Sequence, residues 1–222
     1  MLPSLIKRLA ATGEPRRREL IIALDLLMAC VIVVFLDNWI ATSLSALRQS
    51  SIAFLCTFIP NRVQLSLFFT VAMTGLIVYR KASCNPLRAD QGMFVLGCGV
   101  VSGFAADILK IVFGRPRPDD SLFDITVRFN FFGGGNGFDS FPSSHAAIAA
   151  GVAGALSVIW PAHRTIYFTI AAAVAASRFV TGNHYLSDAL LGFAVGLGIV
   201  VAVQMLFAQY GIPLRSKDAP GQ

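Results

Sequence analysis

The chain has 222 residues, of which 55% are hydrophobic and only 14% charged. A soluble domain of this length carries about a quarter charged residues, so the composition excludes an ordinary water-soluble globule and points to the membrane. The formal net charge of +6 has no soluble basic domain to carry it as a nucleic-acid face, so nucleic acid is not an expected partner.

A membrane-crossing helix needs roughly 20 mostly apolar residues. Six candidate spans follow one another at 20–36, 63–79, 93–113, 146–160, 166–179 and 185–207. The fourth and fifth are short and draw on flanking polar residues. Runs such as Ile32-Val33-Val34-Phe35-Leu36 lack the alternation of a membrane β-barrel. The expected fold is therefore all-α, a six-transmembrane-helix bundle forming one membrane domain over 1–222. Residues 1–19 read as a basic lead-in and 211–222 as a short tail. Arg16-Arg17-Arg18 ahead of an apolar run resembles a signal peptide. The run is long for one, however, and Leu36-Asp37-Asn38-Trp39 is no small-residue cleavage site, so an uncleaved first helix is expected.

Six spans place the N-terminus, the loop at 80–90, the turn at His163-Arg164 and the C-terminus on one side. That side holds eleven of the eighteen Lys and Arg residues. Positive residues favour the cytoplasm, so both termini are expected inside, and the bare six-span form suits a bacterial inner membrane. Between the first two spans, Leu44, Leu47, Ile52, Leu55 and Ile59 fall at helical intervals within 38–61. This segment reads as an amphipathic helix at the outer interface, a packing element as readily as a substrate gate. The second long outer segment, 114–141, is rich in Gly, Asp, Pro and Phe. Cys30, Cys56, Cys84 and Cys98 suggest neither a disulfide nor a zinc site.

Ionisable residues near membrane spans are costly unless paired or functional, and here they gather in three clusters on the expected outer side. The first is Lys110 to Pro118, where Lys110 and Arg117 would share a face if the helix continued for two turns. Two cations aimed at one spot suit a phosphate; a basic anchor at the lipid headgroups is an equal reading of this segment alone. The second is Pro142-Ser143-Ser144-His145, opening the fourth span. A helix N-terminus is a ready anion site, Ser143 and Ser144 add hydroxyls, and His145 could give a proton to a leaving oxygen. Ordinary serine capping is the simpler alternative. The third is Ser177-Arg178 through His184 to Asp188. His184 and Asp188 are four apart and read as sharing one face of one helix, so a carboxylate could fix the imidazole tautomer and leave the other nitrogen free to attack. Arg178 supplies a fork for phosphate oxygens. A structural His–Asp pair remains the alternative. Taken together, three cations, two histidines and one aspartate suit phosphoryl transfer.

These residues resemble the three-part signature of the type 2 phosphatidic acid phosphatase superfamily, which includes vanadium haloperoxidases and bacterial acid phosphatases. The signature reads K-x6-R-P, P-S-G-H and S-R-x5-H-x3-D. Here it appears as Lys110 to Arg117-Pro118, as Pro142-Ser143-Ser144-His145, and as Ser177-Arg178 to His184 and Asp188, covering 110–188. The resemblance implies a membrane lipid phosphate phosphatase. In it His184 attacks phosphorus to form a phosphohistidine, Asp188 orients His184, and His145 protonates the leaving group and then activates water. Lys110, Arg117, Arg178, Ser143 and Ser144 hold the phosphate, with help from the backbone N–H groups of both serines. It implies no metal and no cofactor. Ser144 departs from the signature glycine, and positive φ there would strain a serine. Asp107, three residues before Lys110, is placed to pair with it, while Asp25 has no assigned role.

The expected partners are a lipid phosphate and the bilayer, with no obligate protein partner legible. Phosphatidic acid, phosphatidylglycerol phosphate, a polyprenyl diphosphate and a phosphorylated glycolipid all fit. A lipid phosphotransferase would use the same site. A soluble haloperoxidase fits six spans poorly. A lipid transporter would place ionisable residues deep in several spans, whereas here, apart from Asp25 and Asp107, they gather at the rims.

Overall fold

The computed structural model describes residues 14–43, 86–118, 129–133 and 137–215. The expected span at 63–79, most of the amphipathic segment 38–61, Cys56, Cys84 and the ends of the chain lie outside these residues.

Among the described residues the fold is helical: α1 Glu14–Val33, α2 Asp37–Ser43, α3 Pro86–Phe113, α4 Ser144–Ile159, α5 Arg164–Val180 and α6 Leu186–Gln209. A single 3-10 turn, Pro161–His163, joins α4 to α5. The segments Leu87–Phe113 and Leu186–Gln209 are each long and apolar enough to cross a membrane. Arg17–Val33 and Asp37–Ser43 form a third candidate, bent by 78° at the break between them. Leu24, Leu27, Met28, Val31 and Ile32 on α1, and Phe104, Ile108 and Ile111 on α3, stay exposed. Lipid is the solvent in which such faces are stable.

Helix α4 is the hub, packing on α3, α5 and α6, and α6 packs in turn on α1. Its sequence is dominated by Ala and Gly, and 13 of its 16 residues are buried. Lipid tails are as apolar as any side chain, so helices associate through close packing of small residues. Gly192 of α6 illustrates the point: an added Cβ would lie 2.5 Å from the carbonyl oxygen of Ser143. The second turn of α6 therefore sits directly against the start of α4. Below that crossing, Ala146, Ala175 and Ala189 form one buried cluster from α4, α5 and α6. A second cluster joins Phe94 and Cys98 of α3 to Ala155, Val158 and Ile159 of α4 and Val200 of α6. The chain's three polar segments are thus carried on helices fixed to each other by contacts too close for larger side chains.

Candidate active site

Helix α3 stops at Phe113, where the prolines and glycine beyond it predict a stop. The decisive residue is Gly114, with φ of +52°. Its N–H closes on the Lys110 carbonyl at 2.9 Å, its carbonyl accepts from Asn130 N–H at 2.7 Å, and an added Cβ would meet the Asn130 oxygen at 2.1 Å. No side chain fits there. Because the helix ends, the two-turn spacing imagined for Lys110 and Arg117 does not apply: Lys110 is in the last turn and Arg117 lies in the loop beyond. Both cations nevertheless act on the imidazole of His184. The Lys110 ammonium lies 3.4 Å from Asp107 Oδ1. Arg117 makes a two-pronged pair with Asp139, Nε to Oδ1 and Nη2 to Oδ2, each at 2.9 Å.

The second segment opens α4. Ser143 is its N-cap, with extended backbone and a hydroxyl that accepts from Ala146 N–H at 3.4 Å. The Ser143 N–H, expected to face a phosphate, instead donates to the Asp188 carbonyl at 3.0 Å. It ties the second motif to the third. Ser144, first residue of α4, needs no left-handed backbone; among the described non-glycine residues only Phe132 has positive φ. Its hydroxyl donates to Asp107 Oδ1 at 2.7 Å. The side chain that replaces the signature glycine thus has a definite partner, one shared with Lys110. His145 follows in the first turn and is buried.

The third segment closes α5 and opens α6. Arg178 lies in the last turn of α5 and is buried. Its carbonyl accepts from Asn183 N–H at 3.1 Å and His184 N–H at 3.2 Å, drawing His184 back under α5. His184 is not within α6, as its spacing from Asp188 suggested, but two residues ahead of it. The helix begins later because Asp188 Oδ2 accepts from Tyr185 N–H at 2.8 Å, capping the end. The His184 Nδ1 lies 2.8 Å from the Ser140 carbonyl and 3.5 Å from Asp188 Oδ2. A carbonyl can only accept, so Nδ1 carries the proton and Nε2 keeps its lone pair. The tautomer is therefore set first by a main-chain group and second by Asp188. Burial pushes the His184 pKa below its ordinary 6.5, as do Lys110 and Arg117, while Asp188 pulls it the other way. Burial thus favours the neutral ring.

Sequence reasoning passed over several neighbours of this histidine. Asp188 is fully buried and also accepts from Arg115 Nη1 at 2.7 Å and from the Ser140 hydroxyl. Arg115 Nη1 reaches the Ser187 hydroxyl at 2.8 Å, and Nη2 reaches Asp37 Oδ2 at 2.9 Å. Asp37 accepts from the Ser187 N–H at 3.1 Å and from its hydroxyl. Burial alone would lower the Arg115 pKa; Asp188 and Asp37 raise it above the ordinary value. The signal available for Asp37 was a carboxylate at the end of an apolar run. Among the described residues no cluster of three or more His, Cys, Asp or Glu side chains is placed to hold a metal ion.

Residues 91–210, which contain all three segments, match the PAP2 superfamily. The chain belongs to this family. Two relatives are similar over part of their length: a lipid A 1-phosphatase of Rhizobium johnstonii, 32% identical over 123 residues, and one of Rhizobium etli, 30% identical over 121. Each match covers 54% of this chain and 50% and 52% of the relative. The chain thus spans about half the length of the curated relatives it matches. The crystal structure of a transmembrane PAP2-type phosphatidylglycerolphosphate phosphatase from Bacillus subtilis superposes with a TM-score of 0.53 at 21% identity, covering 85% of this chain and 96% of that one. That likeness establishes the PAP2 fold. With its long apolar helices, it makes the chain an integral membrane PAP2 protein.

Proposed function

We propose that the protein is a membrane lipid phosphatase that hydrolyses a lipid phosphate ester through a phosphohistidine on His184. The observation that carries this reading is the setting of His184: its Nδ1 lies 2.8 Å from the Ser140 carbonyl, which leaves Nε2 with its lone pair, beside the buried Asp188 that Arg115 holds. Nε2 attacks phosphorus as the bond to the lipid oxygen breaks, and His145 gives that oxygen its proton. His145 then takes a proton from water, whose oxygen attacks phosphorus; the P–N bond breaks and inorganic phosphate leaves. Lys110, Arg117 and Arg178, with Ser144 and the N-terminus of α4, hold the equatorial oxygens where charge is spread. Ser143 contributes as the cap of that helix end. Arg117 exchanges Asp139 for phosphate oxygens, a swap of one anion that accepts two parallel N–H bonds for another.

The lipid A 1-phosphatase relatives favour a phosphorylated glycolipid as substrate. The layout proposed is one domain of six spans, both termini cytoplasmic, with the site on the periplasmic side of a bacterial inner membrane. The deciding experiment is phosphate release by the purified protein in detergent, with and without chelator, from labelled phosphorylated glycolipid and phosphatidic acid. Release is expected to survive chelation, to be inhibited by vanadate, and to vanish in His184→Ala and His145→Ala. Loss of release on chelation would overturn the mechanism, and label appearing in a second lipid would mark a transferase.

A further inference from the structure

Two buried residues outside the signature positions, Asp37 and Arg115, stand directly behind Asp188. We propose that Arg115, anchored by Asp37, is the positioning residue that fixes both partners of the His184 ring. The inference rests on the reading of His184 as nucleophile.

Arg115 acts at two places at once. Its guanidinium holds the Asp188 carboxylate at 2.7 Å. Its main-chain carbonyl accepts from the Ser140 N–H at 3.0 Å. Ser140 is the residue whose carbonyl takes the Nδ1 proton of His184 and whose hydroxyl donates to Asp188. A shift of Arg115 therefore moves the carbonyl that sets the tautomer and the carboxylate beside it together. Asp37, from α2, holds Nη2 and leaves Nη1 facing Asp188, and it also binds the Ser187 N–H in the first turn of α6. The guanidinium lies 4.0 Å above the Tyr185 ring centroid, with Phe129 at 5.3 Å and Phe141 at 5.7 Å. A desolvated cation held by two carboxylates and three rings has little freedom to move.

This arrangement is poorly explained by stability. A buried ion pair is often no more stabilising than apolar side chains of the same volume. Nor is Arg115 built as a phosphate ligand: its side chain is 4% exposed and its terminal nitrogens are directed to Asp37, Asp188 and Ser187. What the network supplies is geometry, and with it a fixed local charge.

The charge gives the test its sign. Beside His184 stand Asp188 in the first turn of α6, Lys110 at the end of α3, and Arg117, itself paired with Asp139, in the loop beyond; Tyr185 is the next residue, the Arg178 carbonyl of α5 accepts from the His184 N–H, and His145 is in the first turn of α4. Behind Asp188 stand Arg115 and Asp37. Removing a negative charge disfavours the imidazolium, and removing a positive one favours it.

The experiment measures kcat and KM for phosphate release from a soluble short-chain phosphatidic acid across pH, using the full-length protein in detergent. Asp37→Asn is expected to move the acid limb of kcat/KM down by about half a pH unit, and Arg115→Gln to move it up by a similar amount. The double variant should return it to the wild-type position. Arg115→Gln is expected to lower kcat about tenfold to a hundredfold with KM nearly unchanged, as misplacement of a nucleophile does. Arg115→Lys should leave the limb in place while kcat still falls. Should Arg115→Gln fail to fold, Asp37→Asn and Arg115→Lys carry the same test. An unmoved limb in folded Asp37→Asn or Arg115→Gln, or a rise in KM alone in any of these variants, would overturn the inference while wild-type phosphate release leaves the nucleophile reading standing. No release by the wild-type protein from either this substrate or a phosphorylated glycolipid would remove both.

Discussion

Because the His184 proton sits on Nδ1, the ring's reactivity depends on keeping Nε2 unprotonated. Burial and two nearby cations hold its pKa below 6.5, so the acid limb of phosphate release is expected below that pH. The same shift has a stability consequence. Above about pH 6.5 the histidine is neutral in both folded and unfolded chains; as pH falls the unfolded chain takes the proton first. Thermal stability should therefore decline from about pH 6.5 downward and level off below the folded pKa, and His184→Gln should flatten that slope. Ser144 offers a second test at this scale. Its hydroxyl and Lys110 share Asp107 Oδ1, so Ser144→Gly, which restores the family residue, removes one of the groups holding that carboxylate. A net hydrogen bond is worth about 1 kcal/mol. A several-fold loss in kcat/KM without loss of fold is the expected result, measured on a lipid phosphate. An unchanged kcat/KM would mean that Lys110 is aimed by other contacts.

Among elements, the crossing of α4 and α6 decides whether the motifs meet. With the Gly192 Cβ position 2.5 Å from the Ser143 oxygen, Gly192→Leu must drive the two helices apart at the place where Ser143 N–H meets the Asp188 carbonyl. Overpacking of this kind costs about 1–3 kcal/mol. A lower melting temperature together with a lost His184-dependent activity is expected; a stable and active variant would show that the crossing does not set the site. The helices and the polar clusters were legible in the sequence because each is a local pattern: apolar runs for α1, α3 and α6, and charged residues at fixed spacings near their ends. Three features were not. The role of Ser140 belongs to its carbonyl, which every residue type shares. Arg115 and Asp37 are partners across 78 positions, a relation no spacing rule reports. The start of α6 shifted past His184 because Asp188 caps Tyr185, a choice made by side-chain geometry rather than by propensity.

For the whole molecule, sidedness is the next property to measure. Single cysteines at exposed positions, Phe132→Cys near the site and His163→Cys at the opposite end of α4, should differ in reaction with a membrane-impermeant maleimide on intact cells. Labelling is expected at position 132 and only after permeabilisation at 163; the reverse pattern would invert the topology. The length of α4 carries a further consequence. At 1.5 Å per residue, its 16 residues rise about 24 Å, short of the roughly 30 Å hydrocarbon layer. An upright element that falls short obliges the bilayer to thin around it or the catalytic end to lie recessed, in a wet dimple below the neighbouring headgroups. Turnover in reconstituted vesicles should then depend on host-lipid acyl length, rising as the chains shorten toward that match and falling in thick, sterol-rich films.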